Sequence, residues 1–575
     1  MDIKPFNKLK KSLKKDVSGF PVVKLAIAGD SATQFLVPAI KATGADQSLA
    51  FEVFEAEYDQ IDLQILNRES ELYQHSPDFV VIQKSSQKLY SDFIAESLVA
   101  KEEFASSTID QIELYYNTIK QESSAKVLFF NFIEIPDRVF YNYANKLKHS
   151  WSYQIRKLNF ELMNLAQKHK DLFLIDLSSL NNVHGLRVSH NPVLYHQNTM
   201  DLNLDFLPHV ANSVVDTVNS SLGKFKKCLI LDLDHTCWGG IIGDDGIEGI
   251  KIGHTGIGNA FSQLQSWAKS LKERGIILAI CSKNNEDTAK EPFEKHPNMV
   301  LRLEDISVFI ANWENKADNI RYIQSVLNIG FDSMVFIDDN PFERNLVRSE
   351  LPEVTVPELP EDPALYLQYL ADFNLFETAS YAISDTDRTK QYQTEAKRKS
   401  LQRSYSSIDE YLKNLEMTAT VEAFSKFNVA RISQLTQRSN QYNLRTQRYS
   451  EEDIESMMAS KDHLTLSISL KDKYGDYGLI SLIILKRKSE KELFIDTWIM
   501  SCRVLKRDVE KFVLNELVAL AKEQSCDILV GERLPTKKNV LVENHYKDLG
   551  FKEQSNLWCL HIVDFKKNKN YIQKN

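Results

Sequence analysis

The sequence predicts an α/β protein of three domains with a doubly wound parallel sheet at its centre. Three observations predict it. A chain of 575 residues is too long for a single core. Short, nearly continuous apolar runs end in polar clusters, the pattern of strands buried on both faces. Stretches of helical period separate those runs, which is the alternation of an α/β fold. The pattern divides the chain at 1–222, 223–375 and 376–575.

In the first segment, the Lys-rich start from Lys4 to Lys15 spaces Phe6, Leu9 and Leu13 onto one helix face. That suits a surface helix packed on its own domain rather than a membrane anchor. Val22-Val-Lys-Leu-Ala-Ile-Ala28 is a strand running into Gly29-Asp30-Ser31, and Pro77 to Gln87 contains another. These stretches resemble the nucleophile turn and third block of the SGNH (GDSL-type) hydrolases, where serine sits on a strand-to-helix turn. The resemblance implies Ser31 as nucleophile, with Asp205 and His209 as its triad partners. Three departures stand against activity. Ser85 replaces a glycine, Gln87 replaces the oxyanion-hole asparagine, and the Asp205–His209 spacing is longer than the usual Asp-x-x-His. A triad needs a base within reach and a free oxyanion hole. The segment is therefore read as a degenerate domain with a vestigial esterase site, kept for binding or assembly, with an active esterase as the alternative.

The middle segment opens with Lys227-Cys-Leu-Ile-Leu-Asp232-Leu-Asp234-His-Thr236, a buried strand ending in two aspartates one residue apart. Ligands of open α/β sheets bind at carboxyl strand ends. Two carboxylates there repel each other and call for a cation, and Mg²⁺ prefers oxygen ligands and is often shared with a substrate phosphate. Taken alone, the pair would also suit an acidic helix N-terminus. The helical stretch Phe261 to Arg274 follows, then Ile276 to Cys281, a strand that ends in the Ser282 hydroxyl. Lys316 starts the helical stretch to Leu327, and Met334-Val-Phe-Ile-Asp338-Asp339-Asn340-Pro341 is a third strand ending in carboxylates. Nucleophile (Asp232), acid/base (Asp234), hydroxyl, cation and metal carboxylates thus appear in the order that phosphoryl transfer uses.

Four stretches resemble motifs one to four of the haloacid dehalogenase (HAD) superfamily, and more closely its FkbH-like branch, subfamily IIIC. They are Leu231 to Gly240, Cys281-Ser-Lys-Asn284, Asn312-Trp-Glu-Asn-Lys316 and Phe336 to Glu343. The resemblance implies an aspartyl-phosphate on Asp232 and acid/base work by Asp234. It implies Mg²⁺ on the Asp232 carboxylate, the Asp234 carbonyl and Asp338, with Asp339 nearby. Ser282 and Lys316 would grip the phosphoryl oxygens, and Thr236, Asn284 and Asn340 complete the expected phosphate-binding set. His235 and Cys237 stand where asparagine and leucine are common. The glycine-rich Trp238 to Gly253, with Asp245-Gly246, predicts a tight hairpin flap and so an open site.

The last segment begins with a charged helical connector, Ser384 to Glu416, followed by strands at Leu464–Leu470, Gly478–Leu485 and Glu492–Met500. Gln434 to Ser450 resembles the stretch that FkbH-like proteins carry after the phosphatase domain. The strands, the helix after Arg503 to Val509 and Tyr546-Lys-Asp-Leu-Gly-Phe551 are similar to the GNAT acetyltransferase fold. In that fold a glycine turn cradles the pyrophosphate of coenzyme A. Lys506 and Asp508 occupy its two glycine positions, and an aspartate there argues against acetyl-CoA. Recognition of a carrier protein or its phosphopantetheine arm needs no such turn.

A net charge of −9 argues against a nucleic-acid partner, and no apolar run approaches the length of a membrane span. Six scattered cysteines without a CxxC suit a reduced, cytoplasmic setting. The expected activity is Mg²⁺-dependent cleavage of a phosphorylated sugar or acid in surface-polysaccharide or secondary-metabolite synthesis. The alternative that the resemblance implies is loading of a glyceryl unit onto an acyl carrier protein. That would need a thiol acceptor or relay, for which Cys281 and Cys502 are candidates. A non-catalytic scaffold of three fused domains is the third possibility.

Overall fold

The protein is described by a computed structural model covering residues 3–381, 398, 407–439, 442–501, 504–536, 539–555 and 557–575. It is α/β throughout and divides into two compact units, Asp2–Asn219 and Ser220–Asn575.

The first unit is built on five parallel strands, β1 (Val22–Gly29), β2 (Ala50–Glu55), β3 (Phe79–Gln83), β4 (Lys126–Phe130) and β5 (Leu172–Ile175), in the order β2-β1-β3-β4-β5. Central β3 is buried along its whole length, which is why it reads as unbroken Phe-Val-Val-Ile. Helix α1 (Ser86–Ala95) leaves its carboxyl end, capped by the Ser85 hydroxyl. At the Lys-rich start Phe6 and Leu9 are buried as expected, but Leu13 is exposed and Ser12 is buried in its place. The helix tightens to a 3₁₀ turn from Lys10 to Lys14, and three residues per turn shift the face.

The second unit contains two sheets. Four parallel strands, β6 (Cys228–Leu231), β7 (Ile277–Ser282), β8 (Val308–Ala311) and β9 (Met334–Ile337), lie in the order β8-β7-β6-β9. Helices α2 (Ile242–Gly249), α3 (Gly256–Glu273), α4 (Glu286–Lys295), α5 (Lys316–Leu327) and α6 (Pro341–Glu350) connect and cover them. Register matters most for function. Leu231 pairs with both Ile280 and Ile337, so Asp232 and Asp338 leave adjacent strands at one level.

The other sheet holds β10 (Met417–Glu422), β11 (His463–Asp472), β12 (Gly475–Ser489), β13 (Glu492–Met500), β14 (Ile528–Gly531), β15 (Lys552–Gln554), β16 (Leu557–His561) and β17 (Ile572–Lys574). Their order is β15-β16-β14-β13-β12-β11-β10-β17, with helix α7 (Val509–Glu523) between β13 and β14. The three predicted strands fall within β11, β12 and β13. Most of the predicted connector, 382–397 and 399–406, lies outside the described residues. Among the described residues no helix is long and apolar enough to cross a membrane.

Candidate active site

The carboxyl ends of β6, β7 and β9 bring the predicted groups together. Lys316 Nζ, at the start of α5, lies 2.9 Å from Asp232 Oδ1 and 2.6 Å from Asp338 Oδ2, and all three side chains are buried. Burial pulls the ammonium pKa down, but the Asp232 and Asp338 charges outweigh it and raise it above the ordinary lysine value. Burial, and then the charge of Asp232, push Asp338 up to about 7; the same two causes raise Asp339. The carboxylates of Asp232, Asp338 and Asp339 offer oxygens within 4.8 Å of one another. Asp232 Oδ1 is buried and accepts no hydrogen bond, facing the ammonium only as an ion pair. Three converging hard oxygen donors, one of them engaged by the ammonium alone, fit a divalent cation such as Mg²⁺.

Asp234 lies outside that cluster and is held by the flap and by Asn284. Its Oδ1 accepts from Trp238 Nε1 at 2.9 Å and from the Ile242 amide at 3.0 Å, and its Oδ2 from Asn284 Nδ2 at 2.8 Å. The flap is not the predicted hairpin. A single antiparallel bridge, Gly239 with Lys251, closes the short helix α2, whose entry is fixed by Asp245 Oδ2 accepting from the Ile241 amide at 2.8 Å. Gly240 has φ 94°, and a Cβ there would meet Asp245 Oδ2 at 2.5 Å, so glycine is required. His235 is exposed with φ 54°, the left-handed conformation that favours asparagine and tolerates histidine. That accounts for the asparagine common at this position in the resembling family.

Other predicted ligands serve the protein instead. The buried Thr236 hydroxyl accepts from the Asp339 amide at 3.1 Å and donates to Asp339 Oδ1 at 3.3 Å. Asn340 caps α6, accepting from the Phe342 amide at 2.9 Å. Asn284 bridges Asp234 and Ser282, donating to the Ser282 hydroxyl at 3.3 Å, which leaves the Ser282 proton for a ligand. Thr236 Oγ1, Asn284 Nδ2 and Asn340 Oδ1, all in the expected phosphate-binding set, thus make hydrogen bonds within the protein. Cys281 is corrected as a relay. It is fully buried against the Val308 and Phe336 cluster, and burial pushes its thiol well above the ordinary cysteine range. Cys502 lies outside the described residues.

Sequence reasoning missed Arg344. Its buried guanidinium donates to the carbonyls of Asp338 at 2.8 Å and Asp339 at 2.5 Å, and pairs with Glu358. The only sequence signal was a cation six residues after the acidic turn.

The first unit corrects the expected triad. Gln83 Nε2 donates to Ser31 Oγ at 3.0 Å. Asp205 is exposed, and His209 packs against His184 with ring centres 3.8 Å apart and planes tilted by 40°; burial and His184 push His209 down to about 4. The amides at the start of α1, where an oxyanion would be held, already serve carboxylates. Ser85 N donates to Asp30 at 2.6 Å and Ser86 N to Asp201 at 3.1 Å. Both acids are raised to about 6 by burial.

In the last sheet, Lys506 and Asp508 have φ 60° and 59°, so the chain keeps a left-handed turn without glycine. β13 and β14 pair only as far as Ile495 and Gly531. Beyond that point the chain's own segment 442–444 partners β13: Met500 N donates to Tyr442 O at 3.1 Å and Leu444 N to Trp498 O at 3.4 Å.

Residues 24–219 match the family described as FkbH, N-terminal domain. The crystal structure of the N-terminal part of the protein BF1531 from Bacteroides fragilis, containing phosphatase domain and complexed with Mg, is 48% identical. That match covers 66% of this chain and 100% of that one, with a TM-score of 0.63. The ribosomal-protein-S18-alanine N-acetyltransferase of Escherichia coli is 14% identical over 26% of this chain and 99% of its own, at a TM-score of 0.21. Ard1 from Thermoplasma volcanium is 16% identical over 25% and 95%, at 0.20. No curated protein matches the chain.

Proposed function

This chain belongs to the FkbH-like HAD proteins and contains a HAD-like phosphatase domain, and from that premise we propose that it hydrolyses a phosphorylated small metabolite through an aspartyl-phosphate on Asp232. The observation that carries the reading is Asp232 Oδ1, which is buried, accepts no hydrogen bond and faces Lys316 at the carboxyl end of β6. Such an oxygen can attack phosphorus. The new Oδ–P bond forms as the ester P–O bond breaks, and Asp234, fixed by its three donors, gives the leaving alcohol its proton. Asp234 then takes a proton from water, which attacks phosphorus and releases inorganic phosphate and the Asp232 carboxylate. Ser282 donates to a phosphoryl oxygen, and Lys316 offsets the charge that accumulates. Mg²⁺ would be held by Asp232, Asp338 and Asp339 and would supply charge neutralisation when bound.

Burial of Cys281 removes one of the two candidate relay thiols for acyl transfer to a carrier protein. A surface-polysaccharide or secondary-metabolite pathway in the cytoplasm is the proposed setting. The first unit acts in binding or assembly, since its helix-terminal amides already hold carboxylates.

Phosphate release from a panel of phosphorylated metabolites, with Mg²⁺ and with EDTA, tests the reading. Wild type should release phosphate only with Mg²⁺, and Asp232→Asn should release none while melting as a folded protein. Wild-type turnover in Asp232→Asn would sink the assignment.

A further inference from the structure

Two exposed aromatic residues, Trp313 and Phe342, stand on the chain segments that carry Lys316 and Asp339. Trp313 stands three residues before Lys316 on the loop from β8 to α5, and Phe342 three residues after Asp339 in the first turn of α6. Three residues of chain span at most about 11 Å, so each Cα lies within that distance of a site residue. Trp313 is 76% exposed and Phe342 68%.

Their backbone is nevertheless fixed. Asn312 N donates to Ser282 O at 3.1 Å, and Asn312 and Asn319 exchange side-chain hydrogen bonds at 3.1 and 2.8 Å. Glu314 N donates to Asn312 Oδ1 at 3.0 Å, and Ala317 N to Asn315 Oδ1 at 2.7 Å. The Phe342 amide is held by Asn340. Ile241, also exposed, stands on the flap beside Ile242, whose amide orients Asp234. Large rings held in water by a pinned backbone gain free energy when a ligand covers them. Their faces accept planar or apolar groups by stacking and offer little to a compact, hydroxyl-rich molecule.

We propose that Trp313 and Phe342 select the organic part of the substrate, a phosphate monoester whose alcohol carries a planar or apolar group a few bonds from phosphorus. The proposal rests on the phosphatase reading and names the substrate class of that same site. The occupant is a small ester because the two rings lie within a few residues of the phosphoryl-binding groups and are positioned by those same loops.

Ethyl phosphate and 2-phenylethyl phosphate, primary-alkyl esters with similar leaving groups, separate ring recognition from leaving-group chemistry. With the full chain and Mg²⁺, kcat/KM should favour the phenylethyl ester by roughly tenfold or more. The ratio should fall towards one in Trp313→Ala and part of the way in Phe342→Ala. Titration with 2-phenylethylphosphonate should change tryptophan emission in wild type and lose that response in Trp313→Ala. A wild-type ratio near one, or a ratio unchanged in both variants, overturns the proposal and leaves the phosphatase reading standing. No Mg²⁺-dependent phosphate from either ester defeats both.

Discussion

Lys316→Met tests whether one buried ammonium holds the site together. The substitution keeps the length of the side chain and removes the charge that lies 2.9 Å from Asp232 and 2.6 Å from Asp338. At an effective dielectric of about 20, each contact is worth about 6 kcal/mol before desolvation. Removing three ions from water offsets most of that, and deleting one partner of such a buried set costs about 3–5 kcal/mol. In EDTA, melting should therefore fall by roughly 6–20 °C. Mg²⁺ at about a hundred times its Kd contributes about 2.7 kcal/mol, so it should restore much of the loss. The loss should also shrink on acidification, because a proton can neutralise one of the two facing carboxylates. Differential scanning fluorimetry with and without Mg²⁺, run beside a phosphate-release assay, measures all three effects. A variant that melts within about 2 °C of wild type in EDTA and retains its turnover would refute the reasoning.

Trp238→Phe removes the donor to Asp234 Oδ1 and keeps most of the buried ring. Loss of one hydrogen bond to a charged group should lower kcat about tenfold, and steady-state kinetics showing an unchanged kcat would contradict it. Arg344→Ala leaves the Asp338 and Asp339 carbonyls without their donor and should weaken Mg²⁺ binding about 10- to 100-fold, read by isothermal titration. His545 is buried beside Trp498 with its Nδ1 against the Tyr442 hydroxyl at 2.7 Å, and burial pushes it down to about 3. The unfolded chain binds that proton near pH 6.5, so stability present above that value falls by about 1.4 kcal/mol per pH unit on acidification towards the folded value. Between pH 6.5 and 5, wild type should lose about 2 kcal/mol more than His545→Gln in urea melts, and parallel losses would exclude His545 as the cause.

Much of the fold was legible because short parallel strands buried on both faces are written locally. Cys228–Leu231 and Met334–Ile337 are unbroken apolar runs, and helix Lys316–Leu327 begins and ends where its pattern does. The flap was misread because Asp245-Gly246 carries a turn signal whichever structure surrounds it. The structure uses the Asp245 carboxylate to start a helix, with Gly246 as a kink inside it. At the chain start, Leu13 missed the core because a switch from α to 3₁₀ winding leaves no trace in apolar spacing.

The candidate site divides along the same line. Asp232, Asp234, Ser282, Lys316, Asp338 and Asp339 could be recognised because each stands at a strand end or helix start that its own neighbours define. Whether a polar atom is available to a substrate is a different question. Thr236 is committed to Asp339, 103 residues away, and Asn284 to Asp234, 50 residues away. In the first unit Ser86 N is committed to Asp201, 115 residues away. Sequence alone determined which chemical groups the strand ends carry, since a residue's place on a strand depends on its immediate neighbours. Only the tertiary structure decided which of those groups are free, which are occupied and which face one another, because hydrogen bonds and ion pairs join residues that the chain itself keeps far apart.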